Sequence, residues 1–201
     1  MKLEKNSALL VIDAQNKYKY IMKPKSILNI KNIVQKFYND KIPIYFTQWS
    51  RCHRKHNCTR KHKNETINNK VAYNFKHKRS KDLYKLEKTR KYKCPSYNCN
   101  IIDEIKSYSN KENTFISDKM DSLAGNKKLL NRLNKTKIKT LYIIGGWGEH
   151  CIISTALGCI NTWNKYPIII EDAIFGVKKH EKIIPLLTDT IVSGKHTKDL
   201  L

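Results

Sequence analysis

Short apolar segments that indicate buried strands alternate with amphipathic segments along most of the chain, and this alternation constrains the fold more than any other feature. The first predicted strand, residues 7–13, is a continuous apolar run that ends in an acid, as expected when both faces of a sheet are covered. The predicted strands comprise residues 7–13, 43–49, 113–117, 141–144, 167–171 and 190–193. The predicted helices comprise residues 27–38, 101–108, 123–133, 149–164 and 178–187. This order predicts an α/β fold, a three-layer α/β/α sandwich around a mainly parallel sheet.

One stretch interrupts the alternation. The length of 201 residues suits a single domain, and 40% hydrophobic residues are enough to build a core. At about residues 52–98, however, there is no clean period, and Asn, Lys and His cluster. We interpret this stretch as a basic insertion within one domain that spans residues 1–201.

Positive charge is concentrated in the same stretch. The formal net charge is +23, and 16 Lys and Arg residues stand against three acidic residues between Arg51 and Lys93. One interpretation is a surface that binds nucleic acid or another polyanion. The other is a composition rich in Lys, Asn and Ile throughout. We favour the second, because no zinc-finger spacing, RNA-recognition aromatics or helix-turn-helix pairing is found.

Neither a signal peptide nor a membrane span is recognisable. The first apolar run is short and ends at Asp13, and no apolar stretch approaches the ~20 residues of a membrane span. We therefore expect a cytoplasmic protein with no membrane partner. Its six cysteines are predicted to be reduced thiols rather than a disulfide framework.

Reactive side chains follow the predicted strands, at the sheet edge where ligands bind in α/β proteins. These strand-end residues are Asp13, Gln48, Trp49, Asp118, Lys119, the segment 145–151 and Asp172. Cys151 lies in the first turn of a predicted helix, where the helix dipole and N–H groups favour a thiolate and can hold an oxyanion. It is either a nucleophile or a small core residue. Cys159, two turns later, is predicted to pack in the core.

Asp13 and Lys119 each have two interpretations. A carboxylate at the end of a buried strand can accept a thiol proton and pass it to a leaving amine. It can also cap a helix or pair with a cation. Lys119 either supports this chemistry or is one of the chain's many solvated lysines.

Three segments that carry these residues resemble the isochorismatase-like cysteine hydrolase family, which includes nicotinamidases and related amidases. They are ALLVIDAQ (8–15), FISDKMDSLAG (115–125) and LYIIGGWGEHCIISTALGCINTWNKYPIIIEDAIFG (141–176). The resemblance implies a Rossmann-like fold and a catalytic triad of Asp13, Lys119 and Cys151. Cys151 would form a thioester with a small-molecule substrate, Asp13 would shuttle the proton, and Lys119 would orient Asp13 and favour the ionised thiol.

The resemblance also implies features of the backbone and of the assembly. A cis peptide bond is expected between Gly146 and Trp147, with the N–H groups of Trp147 and Cys151 directed at the oxyanion. Relatives often self-associate, so a homo-oligomer is expected.

The sequence departs from the family's nicotinamidases at their metal site. Those enzymes carry Asp-x-His after the second strand, and Trp49 and Arg51 occupy these two positions here. Neither side chain replaces a carboxylate or imidazole ligand, so we expect no metal and no other cofactor. A rival zinc site would use residues of the insertion, namely Cys52, His53, His56, Cys58 and His62. Their spacing matches no structural zinc motif, and we favour a solvated basic loop.

Trp49 and Trp147 are candidates for an aromatic wall beside a planar substrate, with Arg51 holding a carboxylate. Plain burial of large rings is the alternative. The leading hypothesis is a cysteine-dependent hydrolase that cleaves a small amide or related carbonyl compound without metal. The alternatives are a nicotinamidase with an unusual metal arrangement and a non-catalytic protein that binds polyanions or acts as a scaffold through its basic insertion.

Overall fold

The computed structural model describes residues 3–49, 99–117, 119–177 and 180–201. The strands in these ranges are β1 (Ser7–Ile12), β2 (Ile44–Trp49), β3 (Thr114–Ser117), β4 (Thr140–Gly146), β5 (Tyr166–Phe175) and β6 (Ser193–Lys195). They form one sheet in the order β3-β2-β1-β4-β5-β6, and every strand pair is parallel. The predicted α/β class is confirmed, and the described sheet is wholly parallel.

Helices cover both faces of the sheet. They are α1 (Pro24–Asn39), α2 (Lys127–Lys135), α3 (Ile153–Asn161), α4 (His180–Thr190) and α5 (Thr197–Leu200). The apolar cluster on one face includes residues of α1 and α5, and the cluster on the other face includes residues of α2, α3 and α4. β1 contributes Leu9 and Val11 to the first cluster and Leu10 and Ile12 to the second. Because both of its faces are buried, β1 appears in the sequence as an unbroken apolar run.

Local signals explain where two helices begin. Pro24 lies in the first turn of α1, where its missing N–H group has no helical partner to lose. α2 begins at Lys127, later than the predicted start at residue 123, because Asn126 caps it. The Asn126 side chain accepts a hydrogen bond from the Leu129 N–H group at 2.9 Å. None of the helices in the described ranges combines the length and apolar character needed to cross a membrane.

The predicted helix at residues 101–108 is wrong. Ile101 forms an isolated antiparallel bridge with Gln15, and only Lys106–Tyr108 forms a short 3-10 helix. Ile101, Ile102 and Ile105 are buried in the α1-side cluster. The helical spacing of these residues therefore reflects a loop that packs its apolar side chains against the core.

Asp172 does not lie at a strand end, contrary to the prediction. β5 continues beyond it to Phe175, and the pairing of β4 with β5 shifts register between Ile143 and Gly145. The Asp172 carboxylate accepts hydrogen bonds from the N–H and hydroxyl groups of Thr197, at 2.9 and 2.7 Å. Asp172 thus fixes the start of α5 instead of joining the candidate site.

The proposed basic insertion at about residues 52–98 lies outside the described residues. The prediction of a single domain over residues 1–201 with this insertion therefore stays a prediction.

Candidate active site

The strand order creates a crevice beside β1 and β4. These two strands are neighbours at the middle of the sheet, and the chain proceeds from them towards opposite edges. Ligands in parallel α/β sheets bind at such a switch point, beyond the carboxyl ends of the strands. Asp13 directly follows β1, and residues 145–151 complete β4 and begin the next helix. The fold therefore brings Asp13 and residues 145–151 together at the carboxyl ends of β1 and β4.

Asp13 and Cys151 are in contact there. Asp13 is 1% exposed and Cys151 is 6% exposed, and the Asp13 carboxylate raises the pKa of the Cys151 thiol both through its charge and as a hydrogen-bond acceptor. Asp13 has a φ of 50°, in the left-handed region that residues other than glycine seldom adopt. Such a conformation persists only where the surrounding structure holds it, and it is common at functional sites.

The Cys151 thiol is neutral in this environment. Burial raises the pKa of the thiol most, and the negative charge of Asp13 raises it further. The backbone N–H groups of Trp147 and Cys151, as hydrogen-bond donors to the sulfur, lower the pKa, whereas Asp13 as a hydrogen-bond acceptor raises it again. The net direction is upward. The N–H groups at the start of the helix act in favour of the thiolate, as predicted, but burial and Asp13 outweigh them.

The end of β4 approaches its neighbours so closely that glycine is required. Gly145 has a φ of 106°, and a Cβ atom added to it would lie 2.1 Å from the backbone oxygen of Ile12. A Cβ atom on Gly146 would lie 2.3 Å from the ring of Phe175. The peptide bond between Gly146 and Trp147 is cis, at the position that the resemblance implied.

Aromatic side chains border the site. Trp147 packs edge to face against Tyr18, with ring centroids 5.5 Å apart and ring planes at 84°. Tyr18 belongs to a 3-10 helix, Asn16–Ile21, that follows the Asp13 segment and that no pattern in the sequence predicts. Trp49 is half-buried against the apolar cluster that contains Cys151. Contact of Trp49 and Trp147 with a substrate stays a prediction, and Arg51 lies outside the described residues.

Lys119 lies just beyond β3, with an exposed side chain. Its loop is held in place by the Ser117 hydroxyl, which donates to the Lys119 carbonyl at 3.0 Å, and by Thr155 of α3, which accepts from the Ser122 N–H group at 2.9 Å. The loop is thus tied to the helix that follows the candidate nucleophile. None of the ion pairs between described residues includes Lys119, so its catalytic role stays a prediction.

The residues at the site do not fit the metal centre of the resembled nicotinamidases. Trp49 occupies the first ligand position, and an indole N–H group is a donor only. Across the described ranges, no three His, Cys, Asp or Glu side chains form a group that could hold a metal ion. The Cys and His residues of the alternative zinc site, within residues 52–62, lie outside these ranges.

Replacing Asp13 with asparagine should make the Cys151 thiol more acidic. The substitution removes the negative charge and the acceptor that favour the protonated thiol, so the thiol pKa should fall. The alkaline midpoint of Cys151 alkylation by iodoacetamide, followed against pH by peptide mass mapping, should move to lower pH. Asp172→Asn is the matched control, because that carboxylate contacts Thr197. An unchanged midpoint in Asp13→Asn would contradict the contact.

Comparison with known proteins identifies the family and the fold of the chain. The family model described as the Isochorismatase domain matches residues 7–183. None of the curated proteins compared with the chain matches it. An isochorismatase from Pseudomonas putida shares the fold with a TM-score of 0.65 and 13% identity, over 98% of this chain and 91% of that one.

Two further solved structures have the same fold. N-carbamoylsarcosine amidase from Thermoplasma acidophilum is 16% identical, with a TM-score of 0.60 over 95% of this chain and 96% of that one. The nicotinamidase from Staphylococcus aureus is 14% identical, with a TM-score of 0.64 over 96% of this chain and 99% of that one. With the family model matching most of its length, the chain belongs to the isochorismatase family of hydrolases.

Proposed function

We propose that the chain is a cysteine-dependent hydrolase that cleaves a small amide or a related carbonyl compound through a thioester intermediate. The observation that carries the proposal is the buried Cys151 thiol beside the buried Asp13 carboxylate, which raises the pKa of the thiol through its charge and as a hydrogen-bond acceptor. A neutral thiol is a weak nucleophile until a base removes its proton, and the carboxylate in contact with it is suited to be that base.

The first half-reaction transfers the acyl group to sulfur. Asp13 accepts the Cys151 proton while the sulfur attacks the carbonyl carbon. The N–H groups of Trp147 and Cys151, which lower the pKa of the Cys151 thiol as hydrogen-bond donors, are the candidate donors to the oxyanion. When the tetrahedral intermediate collapses, the C–N bond breaks. Asp13 then gives its proton to the leaving amine, and a thioester remains on Cys151.

The second half-reaction releases the acid. Water attacks the thioester carbonyl while Asp13 takes one of its protons. The C–S bond then breaks, and the proton returns to the Cys151 sulfur, which restores the starting state. Lys119 is kept as the third member of the triad on the strength of the resemblance, as the residue that orients Asp13. No proton transfer is routed through it.

The substrate proposed for this site has a planar acyl group and needs no metal. Trp147 precedes Cys151 by four residues and is half-buried, as is Tyr18, and the two rings support each other through their edge-to-face contact. Nicotinamide is a less favoured substrate, because Trp49 stands at the first metal-ligand position of the resembled nicotinamidases. The alternative of polyanion binding depends on residues 52–98, which are outside the described ranges.

A hydrolysis screen tests the proposal. Ammonia release is measured from a panel of small primary amides and carbamoyl compounds that includes nicotinamide, with and without a chelator. The Cys151→Ala protein serves as the blank for contaminating amidases. We expect turnover of at least one planar amide that persists with the chelator. Turnover that the blank retains in full would contradict the proposal, and turnover of nicotinamide that the chelator abolishes would favour the nicotinamidase alternative.

A further inference from the structure

Thr47 contacts Asp13 through both its backbone and its side chain. Thr47 lies on β2 in register with Ile12 of β1 and is 0% exposed. Its backbone oxygen accepts the Asp13 N–H group at 3.1 Å, and its hydroxyl group donates to Oδ1 of Asp13 at 3.2 Å. One residue of the neighbouring strand therefore holds Asp13 at two points.

The backbone contact helps to hold a conformation that is costly by itself. Asp13 has a φ of 50°, and a residue other than glycine in the left-handed region requires support from its surroundings. The bond from the Asp13 N–H group to Thr47 extends the β1–β2 pairing by one residue past the end of β1. The backbone of Asp13, and with it the position from which the carboxylate extends, is therefore fixed relative to β2.

The side-chain contact affects which protonation state of Asp13 is favoured. Burial disfavours the charged form of a carboxyl group, and a hydrogen bond donated to that form favours it. Asp13 is 1% exposed, and the Cys151 thiol faces it from the helix that follows β4. The exposed Lys119 lies on the loop after β3. The Thr47 hydroxyl supplies a neutral donor from the β2 side. Because threonine is branched at Cβ, its χ1 rotation is restricted, and the donor keeps its direction.

We propose that Thr47 is a positioning residue that fixes the Asp13 carboxylate beside Cys151 and keeps it ionised for accepting the thiol proton. The inference rests on the proposed function, since it assigns Thr47 a task only if Asp13 is the base. Thr47 itself has no contact with the reacting carbonyl in this scheme and acts through Asp13.

Alkylation of Cys151 by iodoacetamide across pH provides a test that needs no substrate. In the acidic range the alkylation rate should rise with pH as Asp13 ionises and becomes able to accept the thiol proton during the attack. We call this rise in rate with pH the acidic limb. Thr47→Val keeps the shape of the side chain and removes the donor. It should move the midpoint of this limb upward by about one pH unit, the equivalent of one hydrogen bond to a charged group. Thr47→Ser keeps the donor and should restore the wild-type midpoint.

The chain offers a matched control for the loss of a buried hydroxyl. Thr140 is 6% exposed at the start of β4, and its hydroxyl donates to the Glu4 carboxylate at 3.1 Å. Thr140→Val removes the same kind of bond at the opposite end of the sheet and should leave the acidic limb in place. If Thr47→Val does not fold, Thr47→Ala removes the same donor with a smaller side chain.

The outcomes separate this inference from the proposed function. If Asp13→Asn abolishes the acidic limb and removal of the Thr47 hydroxyl does not move it, the inference is wrong and the proposed base stands. An equal shift in Thr140→Val, or no recovery in Thr47→Ser, would also overturn the inference. If Asp13→Asn leaves the limb unchanged, Asp13 is not the base and the proposed function itself fails.

Discussion

Replacing Cys151 with alanine should abolish turnover of any amide found by the hydrolysis screen. No other group at the site is expected to carry the acyl intermediate, so loss of the nucleophile should lower kcat by on the order of 10⁴-fold or more. Folding should be nearly unaffected. The substitution removes one buried sulfur atom, at a cost of about 1 kcal/mol, and the melting temperature should fall by only a few degrees.

The matched control for this change is Cys159→Ala. Cys159 is 0% exposed in α3, on the same face of the sheet as Cys151, and belongs to the same apolar cluster. It should show a similar small loss of stability and keep wild-type turnover. Mass spectrometry of the wild-type protein during turnover of a slow substrate should find the acyl group on the Cys151 peptide. Undiminished activity in Cys151→Ala, or an acyl group on another residue, would contradict the thioester.

The class of fold and the place of the site are predictable from the sequence because both depend on local patterns. Buried parallel strands appear as unbroken apolar runs, and the residues that follow them gather at one edge of the sheet. Asp13 follows the first such run directly, and Cys151 lies five residues after the end of β4. Their convergence needs only that β1 and β4 be parallel neighbours, which is the arrangement found.

The state of the thiol is not predictable in this way. The sequence places Cys151 at the start of a helix, which by itself lowers a thiol pKa. Two effects prevail, the burial of the thiol and the charge of Asp13. Asp13 lies more than a hundred residues before Cys151 in the sequence. A local motif cannot report the balance between them, because the balance depends on how closely the sheet and helix pack.

Thr47 and Tyr18 are missed for a related reason. A threonine within a buried strand attracts no attention until strand order and register place it opposite the end of β1. Tyr18 belongs to a 3-10 helix of six residues, which is too short to show an amphipathic period. In both cases the role of the residue depends on a contact with a residue distant in the sequence. Thr47 contacts Asp13, and Tyr18 contacts Trp147.

Gly145→Ala should destabilise the fold more than any other single substitution considered. A Cβ atom at this position would lie 2.1, 2.9 and 3.0 Å from the oxygen, nitrogen and carbonyl carbon of Ile12. The φ of 106° is also unfavourable for alanine. Backbone strain and overpacking together should lower the free energy of unfolding by about 3–5 kcal/mol, measured by urea denaturation. That is a large part of the roughly 5–15 kcal/mol that stabilises a typical domain.

The size of this effect depends on what the new methyl group meets. Gly194→Ala in β6 is the comparison, because its Cβ atom would meet side-chain atoms of Glu171 and Thr188 at the edge of the sheet. The Glu171 carboxylate can rotate away, whereas Thr188 Cβ at 2.6 Å requires a small shift of α4, so the expected cost is about 1–3 kcal/mol, below that of Gly145→Ala. Ile12 pairs with Gly145 at the centre of the sheet and precedes Asp13, so its backbone cannot shift without weakening the β1–β4 pairing and displacing the carboxylate. Gly145→Ala should therefore also slow Cys151 alkylation in the protein that remains folded. Equal stability losses in the two variants would mean that the close approach of β4 to β1 does not hold the site together.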